Sequence, residues 1–254
     1  MKRHLSECKF VLATDLDGTF LGGTETDRAA LYGWIEAHRA TVGLVFVSGR
    51  DPEFIHQLCG SGTVPWPEYV IGDVGTTIAH VTPERQIEPI EALENEIAAR
   101  WNNSGSSVKS ALNKAPGLTL QPTEFRYRVS YDYDPEQFNP EVSKTVEAMG
   151  LDVLISDNRY FDVLPKGVSK GPSLLRLLGH LDVPEGRVLS AGDTLNDLSM
   201  LVAGTPSVAV GGSEDPLLDA LPQKPHIYRA QGIGAAGILE AVAHFDLHPT
   251  PEKV

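Results

Sequence analysis

Three short apolar runs, each ended by small or polar residues, constrain the fold of this chain more than any other feature. The runs are residues 9–14, 42–47 and 69–71. Apolar residues from Leu31 onward recur at helical spacing between the first two runs, and Thr26 or Asp27 is placed to cap that helix. Strands that are apolar throughout are buried on both faces, as in a parallel sheet covered by helices. The pattern therefore predicts an α/β chain.

This pattern is interrupted over residues 82–165. The interrupting segment is expected to hold a helix through Trp101, a flexible loop at 102–107, strands at 125–131, 151–156 and 159–164, and a helix at 136–148. Period-two alternation, as in 125–131, is typical of an antiparallel sheet with one exposed face.

After residue 165 the first pattern returns. Its expected elements are helices at 169–180 and 235–245 and strands at 187–191, 208–210 and 227–228. We therefore predict a Rossmann-like parallel-sheet core with helices on both faces, formed by residues 1–81 and 166–254. Residues 82–165 are predicted to be an inserted α+β cap domain, and the tail after Leu247 is expected to fray.

The charge and composition of the chain argue against several classes of binding partner. The chain has 254 residues, and 21 Lys and Arg against 34 Asp and Glu give a formal charge of -13. This acid excess, without a basic stripe, argues against binding of nucleic acid. No run is long enough to span a membrane, and the first residues lack a signal-peptide core. Cys8 and Cys59 have no zinc-ligand spacing, so a reduced cytoplasmic protein is expected.

Two acidic clusters directly follow apolar runs. Asp15 and Asp17 precede Gly18 in the first cluster, and Asp193 and Asp197 flank Asn196 in the second. Ordinary turn formation or helix capping would explain each cluster alone. Oxygen ligands from two strand ends are also how proteins hold Mg²⁺ while leaving room for substrate oxygens. The sequence thus suggests a magnesium site built from Asp15, Asp17 and Asp193.

Two further segments supply groups that suit a phosphate. Ser48, Gly49 and Arg50 end the second apolar run, where a hydroxyl and free backbone amides could hold a phosphoryl oxygen. Lys170 opens the helix that leads to the second acidic cluster. A plain turn and a surface lysine are the alternative interpretations of these two segments.

In this order, the four segments resemble the motifs of the haloacid dehalogenase superfamily of phosphohydrolases. Asp15-x-Asp17-Gly18-Thr19 matches the first motif, Ser48 the second, Lys170 the third, and Gly192-Asp193-x-x-Asn196-Asp197 the fourth. An insertion between the second and third motifs implies, in this superfamily, a large cap that covers the active site.

The resemblance also implies roles for these residues. Asp15 would be the nucleophile that forms an aspartyl phosphate, and Asp17 the general acid and base. Lys170, Ser48 and Mg²⁺ would contact the phosphoryl oxygens. The implied metal residues are Asp15, Asp17, Asp193 and Asp197. The implied phosphate-binding residues are Ser48, Gly49, Arg50, Gly75, Thr76, Lys170 and Asn196.

Within the superfamily the chain looks most like the sucrose-phosphatase group. Three segments, less specific than the four motifs, carry this similarity: Val74-Gly75-Thr76-Thr77-Ile78, Asp162-Val163-Leu164-Pro165 and the segment from Ala236 to Phe245. The fourth motif differs from that group's pattern, because Thr194-Leu195 stands where the group usually has Ser-Gly. This resemblance implies a small-molecule sugar phosphate as partner and a monomer or small homo-oligomer. A phosphorylated disaccharide such as sucrose-6-phosphate is the expected substrate, and the phosphates of mannosylfructose, mannosylglycerate and trehalose stay open as alternatives.

Three other functions stay open at this point. They are a broad hexose or flavin monophosphate phosphatase, a phosphomannomutase-like phosphosugar mutase, and a binding protein with an inactive site. In the cap, the polar and aromatic candidates for sugar contacts are Arg126, Tyr127, Arg128 and Tyr131. Period two would place the arginines on one face and the tyrosines on the other, so one pair would face the cleft. An exposed arginine face over a tyrosine core is equally compatible with this spacing.

Overall fold

The computed structural model describes residues 4–156 and 158–250. It divides the chain into a core unit, Met1–Pro89 with Lys170–Val254, and an insert unit, Ile90–Ser169. The first boundary lies later than the predicted one because Ile87–Pro89 forms a strand that pairs with Thr77–Val81. The second lies later because Nζ of Lys166 and the backbone N–H of Gly167 both bind the Asp152 carboxylate at 2.7 Å.

The core unit is built on an eight-stranded sheet. Its strands are β1 (Phe10–Thr14), β2 (Val42–Val47), β3 (Tyr69–Gly72), β4 (Thr77–Val81), β5 (Ile87–Pro89), β10 (Val188–Gly192), β11 (Ser207–Gly211) and β12 (Ile227–Ile233). Their order is β12-β11-β10-β1-β2-β3-β4-β5. Neighbouring strands run parallel from β12 to β3, whereas β4 and β5 are antiparallel additions at the edge.

Helices of the core unit pack against this sheet. They are α1 (Glu25–Ala37), α2 (Pro52–Gly60), α6 (Lys170–His180), α7 (Leu198–Leu201), α8 (Asp215–Ala220) and α9 (Ala235–His244). Every residue of β1 and β2 is buried, as the unbroken apolar runs predicted. The predicted α/β class is confirmed. The sequence patterns had not indicated α2, α8, β4 or β5.

The start of α1 differs from the prediction. The helix is capped by Thr24, whose hydroxyl accepts a hydrogen bond from the N–H of Asp27, while the Asp27 carboxylate accepts one from the N–H of Thr24. This reciprocal arrangement satisfies two backbone donors. The proposed caps were therefore wrong: Asp27 is the third helical residue, and Thr26 lies inside the helix.

Strand register brings the polar segments to one edge of the sheet. Thr14 of β1 pairs with Phe46 of β2 on one side and with Ala191 of β10 on the other. Because these strands are parallel, the residues that follow them emerge at the same edge. The carboxyl ends of β1, β2 and β10 therefore carry the first acidic cluster, the serine segment and the second acidic cluster.

The insert unit has a four-stranded antiparallel sheet with three helices. Its elements are α3 (Glu91–Trp101), α4 (Gly105–Ala111), β6 (Leu118–Leu120), β7 (Val129–Tyr133), α5 (Glu141–Ala148), β8 (Leu151–Ser156) and β9 (Tyr160–Pro165), with strand order β6-β7-β9-β8. The loop expected at 102–107 was wrong in part, because α4 begins at Gly105 and buries Val108 in the core of this unit.

The strand expected at 125–131 begins only at Val129. Arg128 is buried because its guanidinium contacts the Asp162 carboxylate at 3.2 Å and lies over the Phe125 ring at 3.6 Å. An arginine held in this way does not follow the alternation of a half-exposed strand.

The segment after Leu247 is bound to the core unit as far as it is described. His248 is buried and its Nε2 lies 2.8 Å from Thr41 Oγ1, while the Trp34 indole donates to the Pro249 carbonyl at 2.8 Å. The expected fraying is wrong for these residues, and residues 251–254 lie outside the described ranges. Among the described helices, none combines the length and apolar character needed to cross a membrane.

Candidate active site

A buried lysine joins the two acidic clusters. Lys170 is the first residue of α6, and its ammonium group donates to Asp15 Oδ1 at 2.6 Å. It also donates to Asp197 Oδ1 at 2.6 Å and to Asn196 Oδ1 at 2.8 Å. Residues that the sequence places far apart are thus held in one hydrogen-bonded group.

Asp197 orients this lysine and closes the turn after β10. Its Oδ2 accepts hydrogen bonds from the backbone N–H groups of Asp193, at 3.0 Å, and Thr194, at 3.1 Å. Gly192 leaves the necessary space, because a Cβ there would lie 2.5 Å from Asp197. The turn therefore fixes where both Asp193 and the Lys170 ammonium lie.

Asp193 contacts the segment that follows β1. The Thr19 hydroxyl donates to Asp193 Oδ1 at 2.6 Å. Gly18 has a φ of +80°, which glycine adopts without strain. A Cβ at this position would also lie 2.1 Å from Asp193 Oδ2, so there is no space for a larger residue. The sequence had assigned no role to Thr19, although the residue belongs to the first motif.

Burial and neighbouring charges shift the pKa values of Asp15, Asp193 and Lys170. Burial raises the pKa of Asp15 well above its ordinary value, against the opposing charge of Lys170. Burial also raises the pKa of Asp193 to about 7, although the Thr19 hydrogen bond acts in the opposite direction. Burial alone would lower the pKa of Lys170, but the Asp15 and Asp197 carboxylates raise it overall. The site therefore carries more negative charge than its lysine balances.

A divalent cation would fit this excess charge. One oxygen from each of Asp15, Asp193 and Asp197 lies within 4.8 Å of the other two. Oδ2 of Asp15 and Oδ2 of Asp193 accept no hydrogen bond from any residue of the described ranges. Three carboxylates against one ammonium leave two negative charges when all are ionised. Hard oxygen donors of this kind suit a metal ion such as Mg²⁺ or Ca²⁺.

Asp17 lies apart from this triad. Its Oδ2 accepts a hydrogen bond from Arg50 Nε at 2.9 Å, and both side chains are about half exposed, at 56% and 50%. The carboxylate of Asp17 is not among the three whose oxygens lie close enough together that they could hold a metal ion. Exposed ion pairs contribute little energy, so this contact can exchange for a substrate contact.

Ser48 directly follows β2, at the same edge of the sheet. It is buried, and its hydroxyl oxygen accepts a hydrogen bond from the N–H of Arg50 at 3.1 Å. The carbonyl of Ser48 accepts from the N–H of Val74 at 3.1 Å. Apart from its chain neighbours, the described atom nearest to the position of a Cβ on Gly49 is a methyl carbon of Val74, at 3.9 Å. The segment Ser48–Arg50 is thus held in a tight turn against the segment that follows β3.

Gly75 and Thr76 lie in that second turn. The Thr76 hydroxyl donates to the Asp73 carbonyl at 3.0 Å, so its hydrogen is already used. The carbonyl of Gly75 accepts a hydrogen bond from Ser173 Oγ at 2.7 Å. Sequence patterns had missed Ser173, which follows Lys170 by nearly one helical turn.

The four cap candidates have different surroundings within the insert unit. Tyr131 is buried in the core of that unit, and Arg128 is buried against Asp162. Arg126 is 48% exposed and binds Glu94, which also accepts from the Tyr127 hydroxyl at 3.0 Å. The expected separation of arginines and tyrosines onto two faces is wrong, because residues 125–128 precede the strand.

Comparison with known proteins identifies a family. The family model described as sucrose-6F-phosphate phosphohydrolase matches residues 8–246. A glucosylglycerol-phosphate synthase of Pseudomonas anguilliseptica is 44% identical over 236 residues, which cover 92% of this chain and 30% of that protein. The chain therefore spans under a third of the length of this relative.

Two further relatives match almost end to end. The mannosylfructose-phosphate phosphatase of Agrobacterium fabrum is 27% identical over 249 residues, covering 94% of this chain and 98% of that protein. The crystal structure of the sucrose-phosphatase from Synechocystis sp. PCC6803, in complex with sucrose and phosphate, superposes with a TM-score of 0.85 at 25% identity. That match covers 94% of this chain and 98% of the other.

Proposed function

This chain belongs to the sucrose-6F-phosphate phosphohydrolase family, in the haloacid dehalogenase superfamily, and is a phosphoric monoester hydrolase; we propose that it removes the phosphate from a phosphorylated glycoside with the help of Mg²⁺. The observation that carries this proposal is the state of Asp15. One of its oxygens is held by Lys170 at 2.6 Å, and the other accepts no hydrogen bond from the described residues.

Asp15 is the proposed nucleophile. Its free oxygen attacks phosphorus, and the bond between phosphorus and the sugar oxygen breaks, leaving an aspartyl phosphate. Asp17 would act as the general acid and give a proton to the departing sugar oxygen. Water then attacks the aspartyl phosphate and passes a proton back to Asp17, which releases inorganic phosphate and restores both carboxyl groups.

The surrounding groups position the phosphate and offset its charge. Lys170 and the Ser48 segment would contact phosphoryl oxygens, where electrostatic stabilisation carries much of the catalysis of phosphoryl transfer. Asp15 and Asp193 would hold Mg²⁺, with Asp197 beside them, and the bound cation would reduce repulsion between the attacking carboxylate and the phosphate. Gly49, Arg50, Gly75, Thr76 and Asn196 would border the bound phosphate in this proposal.

Two classes of phosphorylated glycoside are supported as substrates. Phosphorylated disaccharides, such as sucrose-6-phosphate, are supported by the family and by the Synechocystis structure with sucrose and phosphate. Glucosylglycerol phosphate is supported by the 44% identity to a protein named as its synthase. A phosphatase that aligns within such a synthase would hydrolyse the phosphate ester that the synthase forms.

The test is phosphate release with Mg²⁺ across a substrate panel. The panel contains glucosylglycerol, sucrose, mannosylfructose and trehalose phosphates, simple hexose phosphates and flavin mononucleotide. We expect a strong preference for one phosphorylated glycoside. Comparable activity on all monophosphates would favour the broad phosphatase, and conversion of a hexose phosphate without phosphate release would favour the mutase.

Asp15→Asn tests the nucleophile. The amide is nearly isosteric but a poor nucleophile, so we expect turnover to fall on the order of 10³-fold or more while the fold is kept. Asp219→Asn, on the exposed face of α8, is the matched control and should retain full activity. Near-normal turnover in a folded Asp15→Asn protein would refute the assignment.

A further inference from the structure

The turn Asp73–Thr76 has a backbone conformation that its residues rarely adopt. Asp73 has a φ of 53° and Val74 a φ of 59°, so two consecutive residues with side chains lie in the left-handed region. For a β-branched residue such as Val74 this is a clear outlier. Val74 and Asp73 are buried. Strained backbone persists only where its surroundings hold it, and it concentrates near functional sites.

On one side, the turn is bound to the segment Ser48–Arg50. The N–H of Asp73 donates to the Arg50 carbonyl at 2.9 Å, and the N–H of Val74 donates to the Ser48 carbonyl at 3.1 Å. A methyl group of Val74 is also the nearest atom to the space above Gly49. The turn thus sets the position of all three residues proposed to hold phosphate at the end of β2.

On the other side, the turn is bound to the helix that begins with Lys170. The buried Ser173 hydroxyl donates to the Gly75 carbonyl at 2.7 Å. Ser173 lies three residues after Lys170 in α6. The same turn is therefore tied both to the serine segment and to the helix of the catalytic lysine.

Hydroxyl groups within the turn and just after it hold its shape. Thr77 Oγ1 donates to Asp73 Oδ2 at 2.7 Å, and Thr76 Oγ1 donates to the Asp73 carbonyl at 3.0 Å. These bonds favour the left-handed conformation at Asp73 that directs Val74 toward Ser48. Thr76 therefore acts on the backbone of the turn.

We propose that the turn Asp73–Thr76 is a positioning element, which sets the distance between the Ser48–Arg50 segment and Lys170 through the Ser173 hydrogen bond. This inference rests on the proposed function, because it assumes that both groups bind the same phosphate. Ser173 is then a positioning residue that touches no substrate atom. Loss of the hydrogen bond from Ser173 to Gly75 weakens phosphate binding without changing the chemistry at Asp15.

Ser173→Ala tests this role. It removes one hydroxyl and leaves Asp15, Lys170 and Ser48 unchanged. We expect the KM and the Kd for inorganic phosphate, measured by calorimetry with Mg²⁺, to rise together about 3- to 10-fold, or about 0.7 to 1.4 kcal/mol. The kcat should change by less than about twofold if chemistry is unaffected. Thr77→Val, which removes the bond to Asp73, should act in the same direction.

Ser207→Ala is the matched control. Ser207 is also a fully buried serine, and its hydroxyl donates to the Leu201 carbonyl at the same 2.7 Å, away from the proposed phosphate site. It should lower the melting temperature as Ser173→Ala does, with unchanged phosphate binding. An unchanged phosphate Kd in Ser173→Ala, or an equal rise in Ser207→Ala, would overturn the inference while the proposed function stands. If the wild-type protein neither binds phosphate nor releases it from esters, both are refuted.

Discussion

Binding of Mg²⁺ to this protein should depend on pH through Asp193. Burial raises the pKa of this carboxyl to about 7. A metal ligand must be deprotonated, so binding of Mg²⁺ displaces the proton. With a pKa of about 7, the carboxyl is about 90% protonated at pH 6 and about 10% protonated at pH 8. The same carboxyl at an ordinary pKa would be almost fully ionised at both values.

These fractions give the expected size of the effect. The apparent affinity for Mg²⁺ should be about tenfold lower at pH 6 than at pH 8, with about 0.9 proton released per ion at pH 6. The raised pKa of Asp15 acts in the same direction. Titration calorimetry in two buffers of different ionisation enthalpy measures both the affinity and the proton count.

The stability of the metal-free protein should fall as the pH rises and Asp193 loses its proton. Because the pKa of Asp193 is raised in the folded state, its contribution is fully present below the unfolded value near 4 and is lost as pH rises to about 7. The difference between these two pKa values corresponds to roughly 4 kcal/mol as an upper limit. Asp193→Asn should therefore be more stable than the wild type at pH 8 without metal.

Asp193→Asn also isolates the titrating group in the binding experiment. The variant should bind Mg²⁺ more weakly and with a flatter pH dependence, whereas Asp219→Asn should keep the wild-type dependence. If Mg²⁺ affinity is the same at pH 6 and pH 8, and no proton is released, the assignment of Asp193 as a buried, titrating ligand is refuted.

Two further predictions concern buried polar groups. Lys170→Met would leave the Asp15 and Asp197 carboxylates without their ammonium partner, so the free energy of unfolding by denaturant should fall by about 3–5 kcal/mol; wild-type stability would contradict this account of the charge balance. Tyr131→Phe removes a buried hydroxyl that has no hydrogen-bond partner within the described chain, and should raise stability by about 1–3 kcal/mol. A calorimetric melting temperature at or below that of the wild type would show that this hydroxyl is bonded or hydrated.

Much of the architecture could be predicted from the sequence because its signals are local. Unbroken apolar runs such as 42–47 can only be buried on both faces, and that requirement selects a parallel sheet under helices. In such a sheet, residues directly after the strands meet at one edge. For that reason Asp15, Ser48 and Asp193 could be placed together before any distance was known.

Local signals were less informative where tertiary contacts determine the conformation. The period-two pattern of residues 125–131 predicted a strand, but the strand begins at Val129, and Arg128 is buried in a pair with Asp162, which is distant in sequence. Likewise, residues 102–107 were predicted to form a loop, yet a helix begins at Gly105 and buries Val108. Burial of this kind overrides intrinsic propensity.

The site shows the same division between local pattern and tertiary contact. Residue types and spacing predicted that carboxylates meet at this edge, because charged groups after buried strands need a partner. Only the tertiary structure directed Asp17 toward Arg50, used the Thr76 hydroxyl on the Asp73 carbonyl, and bound Ser173 to Gly75. A hydrogen bond depends on distances of about 3 Å between particular atoms, which residue spacing along a chain does not specify.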